Sequence, residues 1–150
     1  MVTNKQQLYD QCCALMKEKR DKIEQSISLL QASLSSESKS TAGDKHETGR
    51  AMIQLEREKL GNQLKQLEQQ EVILGKIQVK KESDLVVLGS YVKTNNMDYY
   101  LGISLGSIKL NGKEVFAISP QSPIGALLLG KKLNEKITFN SVTSIITAID

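Results

Sequence analysis

Two carboxylates three positions apart, Asp44 and Glu47, stand in the run Ala42-Gly43-Asp44-Lys45-His46-Glu47-Thr48. At that spacing two side chains share one side of a helix. Magnesium is commonly held by one or two carboxylates plus waters. The same pair also fits a helix start, with Asp at the N-cap, an acid at N3 and both charges favourable to the helix dipole. The residues by themselves leave metal binding and capping both open. His46 is the single histidine; it offers no metal-ligand spacing and reads as a solvated neighbour of the acids. Glu37 reads as loop solvation that adds negative potential. Ser119 and Ser122 have no base beside them to suggest a nucleophile.

The acids need elements to hold them, and the patterns on either side supply two helices. Thr3-Asn4-Lys5-Gln6 fits a capping box in which Gln6 reaches back to the first free amide. Apolar residues follow at Leu8, Cys12, Leu15, Ile23, Ile27, Leu30 and Leu34, widened by Met16 and Leu29 and interrupted at Lys19. This is a coiled-coil-like stripe. It stops in Ser35-Ser36-Glu37-Ser38-Lys39-Ser40-Thr41-Ala42-Gly43, where hydroxyl side chains compete with helical hydrogen bonds and the glycine permits a positive φ. A second stripe starts after Asp44: Ile53, Leu60, Leu64, Leu67 and Leu74, with Arg57 and Glu71 at two seam positions and Gly75 as a helix-ending residue. Two stripes of roughly thirty residues joined by a short polar turn predict an antiparallel hairpin about 45 Å long. The acids fall at its turn. Periodicity allows a plain dimerising or spacing coiled coil equally well. Lys17, Lys19, Arg20 and Lys22 cluster on the first helix and read as a solvated face interleaved with Glu18, Asp21 and Glu24. Cys12 and Cys13 read as core and flank positions of the coil.

Composition changes near residue 76. Gln, Glu, Lys and Leu give way to Gly, Val, Ile and turn residues, which predicts a hairpin over 1–76 and a second domain over 77–150. There, Leu85–Leu88 reads as a short buried strand that continues through a bend at Gly89. Asp98–Ser104 reads as a second strand. Asn111-Gly112 between Ser107–Leu110 and Glu114–Ile118 is a hairpin signal. Pro123 opens a short helix ending near Leu129 and Gly130. Lys136–Phe139 and Val142–Ala148 close the domain around Asn140-Ser141. The expected fold class is α+β: an antiparallel helical hairpin, then a small antiparallel sheet with one short helix.

The 150-residue chain is 39% hydrophobic but only 4% aromatic, with a net charge of +3. Such a mild charge argues against a protein wrapped on nucleic acid and against independent DNA binding. No apolar run is long enough to cross a bilayer. Adjacent cysteines make neither a disulfide framework nor a zinc site. A cytoplasmic protein without a membrane partner is the simplest expectation.

Ser119-Pro120-Gln121-Ser122-Pro123-Ile124-Gly125-Ala126-Leu127-Leu128-Leu129-Gly130-Lys131-Lys132 resembles the C-terminal domain of the bacterial Gre-family transcript cleavage factors, which carry a Ser-Pro pair and an Ala-Leu-Leu-Gly-Lys run at this point. Val87-Leu88-Gly89-Ser90-Tyr91-Val92 is similar to the strand that opens the same domain. The two motifs agree in order and separation over residues 84–150. At the turn, Gly43-Asp44-Lys45-His46-Glu47 is similar to the family's Gly-Asp-x-x-Glu. The resemblance implies an FKBP-like domain behind a coiled coil. It also implies an elongation factor that stimulates the RNA polymerase's own hydrolysis of backtracked RNA and is not an enzyme by itself. Asp44 and Glu47 would then be the catalytic, magnesium-binding acids, acting beside the polymerase's own magnesium with the RNA 3′ end as substrate. Ser122, Pro123, Leu127 and Leu128 would belong to the surface that meets the polymerase at the channel rim. Where the family carries a further acid and an aromatic, this chain has Arg50 and Ala51. That departure keeps a non-cleaving channel regulator in view. A coiled-coil adaptor is the reading from a different class. A prolyl isomerase rests on fold analogy alone, and the aromatic-poor sequence offers little to line its pocket.

Overall fold

The computed structural model describes residues 3–38 and 43–150, with side chains described over 3–36 and 49–150. Two long helices come first, α1 (Asn4–Ser38) and α2 (Gly43–Gly75). The chain divides into two compact units: residues up to Leu15 with Val72–Asp150 form one, and Met16–Glu71 forms the other. Among the described residues, no helix is long and apolar enough to cross a membrane.

The Met16–Glu71 unit is a pair of helices held by one apolar seam. Met16, Leu60 and Leu67 are buried, and Ile23, Ile27, Leu30, Leu34, Ile53 and Leu64 are half-buried. The α2 stripe follows the expected positions, including the polar ones at Arg57 and Glu71. On α1 the stripe keeps the expected positions except at Leu15 and Lys19, where it moves on by one residue. It runs through Met16 and Arg20, while Lys19 and Leu29 are exposed. A fixed seven-residue repeat drifts against the true helical period, and the seam follows the helix. Arg20 then crosses to Glu71 through two hydrogen bonds, Nε–Oε2 at 3.2 Å and Nη2–Oε1 at 2.8 Å.

In the other unit six strands form a mixed sheet: β1 (Tyr91–Thr94), β2 (Asp98–Leu101), β3 (Gly106–Leu110), β4 (Lys113–Ile118), β5 (Lys136–Phe139) and β6 (Val142–Ile149), ordered β3-β4-β2-β1-β6-β5. The fold class is a helical hairpin followed by an α+β sheet domain with one short helix, α3 (Pro123–Leu128). The expected all-antiparallel pairing is corrected at one place, because β2 and β4 run parallel. After β2 the chain passes over the neighbouring slot to the sheet edge. The tight turn at Asn111 (φ 53°) and Gly112 (φ 81°) then returns β4 into the gap. Leu85–Leu88 is not a strand. Leu85 makes an isolated bridge to Lys132, and Ser90 Oγ accepts the Val87 amide at 2.9 Å, folding the chain into a turn. The glycine of that turn, Gly89 (φ 91°), lies where an added Cβ would meet Ile77 Cγ2 at 2.8 Å.

Both sheet faces are covered. Val86, Val92, Tyr99, Leu101, Leu128, Ile137 and Ile146 form one core, with α3 contributing Leu128. Tyr91, Tyr100, Val115 and Ala117 are buried as well, as are Leu8 and Cys12 at the start of α1. Gln11 Nε2 donates to the Lys109 carbonyl at 2.5 Å, closing part of the β3 edge. The α1 cap is half as expected. Thr3 Oγ1 accepts the Gln6 amide at 3.1 Å, but the Gln6 side chain turns forward to Asp10 at 2.8 Å. Burial pushes the Cys12 thiol up to about 12, which makes it an unreactive core residue.

Candidate functional site

The backbone at Asp44 and Glu47 is helical, and α2 has already begun at Gly43. The carboxylates therefore fall in the opening turns of a 33-residue helix, at the end where α1 and α2 join. The side chains of Glu37, Asp44, His46 and Glu47, and the expected turn at residues 39–42, lie outside the described residues. Two carboxylates three positions apart in one helix are a hard-oxygen donor set. That set fits a magnesium ion that keeps several waters. Among the described residues no group of three or more candidate ligands could hold a metal ion.

Immediately behind the acids, Arg50, Ala51 and Met52 are exposed. Arg50 has no carboxylate partner among the described residues, whereas Arg20 is surrounded by acids: Glu71, Glu24 at 2.7 Å and Glu68 at 3.6 Å. Hydrogen bonds to Glu71 and Glu24 hold the Arg20 guanidinium above its ordinary range. Two more cations of the α1 cluster are also balanced, Lys17 by Asp21 at 3.6 Å and Lys22 by Glu18 at 3.4 Å. That face is a set of i,i+4 pairs of the kind that support exposed helices.

The second candidate surface is built around α3. Ser122 is its N-cap: Oγ accepts the Gly125 amide at 3.1 Å and donates to the Ser119 carbonyl at 2.7 Å. Pro123 supplies a preset φ in the first turn, where no amide is needed. Gly125 has no alternative, since a Cβ there would come within 1.9 Å of the Ser119 oxygen. The helix therefore starts tightly against the Ser119-Pro120 turn. Its short length separates the two leucines named from the sequence. Leu127 is exposed, while Leu128 is 0% exposed in the sheet core and is closed to any partner. Pro123 is exposed and Ser122 half-buried. Three apolar residues that the sequence reading did not single out flank this end: Leu85, Leu129 and Leu133, all exposed. The bridge from Leu85 to Lys132 sets them around the Gly130 turn (φ 81°). The sequence signal for Leu129 and Leu133 is Gly130, which ends the helix between them and takes the chain out of phase with the core.

No family model matches the chain, and no curated protein matches it. Solved structures do. The chain is similar to the crystal structure of GreA factor homolog 1 (Gfh1) protein of Thermus thermophilus, at 17% identity over 95% of this chain and 94% of that one, with a TM-score of 0.36. It is likewise similar to a structure of the transcription factor Gfh1, at 17% identity over 94% of this chain and 92% of that one, with a TM-score of 0.34.

Proposed function

We propose that this chain is an RNA-polymerase-binding elongation factor of the Gre type. It stimulates the polymerase's hydrolysis of backtracked RNA and has no hydrolytic activity alone. The observation that carries this reading is the position of Asp44-x-x-Glu47 at the joined end of two long helices, the part of a hairpin able to enter a partner's channel. The helices carry the acids, and α3 with its exposed Pro123 and Leu127 meets the channel rim. Magnesium, when bound, supplies positive charge for the attacking and leaving oxygens of phosphodiester hydrolysis. Asp44 and Glu47 would hold that ion, and waters and the polymerase would complete its ligand shell.

The test is RNA shortening in a stalled, backtracked elongation complex. The unaltered protein should trim the RNA 3′ end, and Asp44→Asn/Glu47→Gln should bind the polymerase without trimming. These amides keep the size and polarity of the side chains but not the carboxylate charge. Failure of both proteins to bind the polymerase would end this reading. Arg50 favours a second reading, because its charge opposes that of the acids: a channel regulator that binds without promoting cleavage. Binding by both proteins with cleavage at background would select it.

A further inference from the structure

We propose that the outer side of β5 is a docking site for an extended, acidic segment of a partner protein, which joins the sheet there as a further strand. This goes beyond the function proposed above and does not depend on it. β5 ends the sheet and pairs only with β6. Neighbouring hydrogen bonds fix the parity of that pairing. The Ile146 amide donates to the Glu135 carbonyl at 3.0 Å, while Ile145 turns its own amide and carbonyl the other way, to Asn95. Ladder bonds alternate along an antiparallel strand. Ile137 and Phe139 therefore bond to β6, and Lys136 and Thr138 direct their N–H and C=O groups outward. Among the described residues nothing bonds to those outward groups. The opposite edge of the sheet differs, because Gln11 of α1 occupies the Lys109 carbonyl of β3.

An added strand lays alternate side chains on the face that holds Ile137 and Phe139. α3 packs against β5 on that face, with Leu128 sharing a core with Ile137. Leu127 of α3 is exposed and Phe139 is only half-buried, so apolar surface remains for those side chains. Main-chain bonds to a sheet edge supply affinity in this mode of recognition, and the alternate side chains supply specificity. Charge selects the occupant. Lys136 stands on the strand and Lys132 shortly before it, both exposed and without a carboxylate partner among the described residues. Lys131, by contrast, is held by Glu135 at 4.0 Å. A lysine on an edge strand discourages indiscriminate pairing, and a carboxylate opposite it turns that obstacle into selectivity. A second copy of this chain is a poorer match. Pairing β5 with itself about Thr138 sets Lys136 against Asn140, supplies no acid and joins two chains of net charge +3.

The experiment titrates the isotope-labelled full-length protein with an acetylated, amidated peptide, Val-Thr-Val-Glu-Val, and follows the backbone amides by NMR. In antiparallel register its Thr faces Thr138 and its Glu faces Lys136. Saturable shifts should centre on the Lys136 and Thr138 amides and leave β3 unmoved. Methyl groups on the peptide's Thr and Glu nitrogens, which point at β5, should weaken binding by at least about 10-fold. Methyl groups on its Val nitrogens, which point away, should not. Lys136→Glu should weaken binding by about 2- to 5-fold, and replacing the peptide's Glu with Lys should restore it. Absence of saturable shifts, shifts centred elsewhere, or equal loss from both methylation patterns overturns the proposal. Shifts at Thr138 that grow with protein concentration in the absence of peptide also overturn it, in favour of a second copy. None of these outcomes involves RNA cleavage, so this proposal and the function proposed above fail separately.

Discussion

Gly125→Ala sets two physical effects against each other in the helix that presents the candidate rim surface. Helix propensity alone favours the change by about 1 kcal/mol, since alanine is the better helix former. The local geometry opposes it. The new Cβ would stand 1.9 Å from the Ser119 oxygen, 2.8 Å from the Ser119 carbonyl carbon and 2.9 Å from Ser122 Oγ, where a close carbon–oxygen contact is about 3.3 Å. Relief requires the Ser119-Pro120 turn to move away from α3. That turn accepts the Ser122 amide at 3.0 Å and the Ser122 hydroxyl at 2.7 Å, and Ser122 in turn caps Gly125 at 3.1 Å. Losing the cap is worth about 1 kcal/mol, and each further net hydrogen bond about 1 kcal/mol. The expected balance is a loss of about 2 kcal/mol after the propensity gain. Urea unfolding read as a lower midpoint at unchanged slope would measure it. An Ala variant as stable as the parent would refute the close packing of α3 on the Ser119 carbonyl.

Four other outcomes are expected. Tyr100 is fully buried and its hydroxyl has no hydrogen-bond partner among the described residues, so Tyr100→Phe should raise stability by about 1 kcal/mol; a drop in the urea midpoint would reveal a bonded hydroxyl. Leu128→Ala should lose about 3 kcal/mol through a core cavity, whereas Leu127→Ala should stay within about 0.5 kcal/mol and weaken polymerase binding in a pull-down titration. Ser122→Ala should lose about 1 kcal/mol and Ser122→Asp should keep most of it, as judged by thermal unfolding. Hydrogen bonds from Arg20, aided by its charge, hold the Glu71 carboxyl below its ordinary 4.5. The contribution of a group lowered in this way is complete above the unfolded value and fades as pH falls through the folded one. Helicity should therefore weaken below about pH 4.5 in the parent and show less of that dependence in Glu71→Gln, by circular dichroism.

The parts of the fold that were legible in the sequence are those fixed by near neighbours. Asn111-Gly112 specified its hairpin because both residues tolerate the positive φ that the turn demands. The α2 seam could be read directly, since Ile53, Leu60, Leu64, Leu67 and Leu74 keep one stripe and Gly75 ends it. The α1 seam could be read only to within one position, because Leu15 and Met16 are both apolar and only packing chose Met16. Leu85–Leu88 has strand composition, yet the Val87–Ser90 turn and the Lys131 carbonyl bonded to the Val86 amide at 2.9 Å take up its backbone groups. The parallel β2–β4 pair was not legible. It depends on where a distant strand returns, and no local residue records that.

The candidate site shows the same division. Acid spacing is written in the sequence, but the choice between cap and ligand depends on where the helix starts. An N-cap residue keeps a non-helical backbone, and α2 is already helical at Gly43, so Asp44 lies inside the helix. Its charge can still interact favourably with the dipole. Asp44→Asn should accordingly leave helicity nearly unchanged, which lets a cleavage assay report on charge alone. At the candidate rim surface the six-residue α3 made Leu127 and Leu128 indistinguishable by composition. One helical step of about 100° separates a side chain locked into the sheet core from one facing solvent. The exposed apolar residues here are therefore Pro123, Leu127 and the leucines around Gly130, and Leu128 contributes only by fixing the helix that carries the first two.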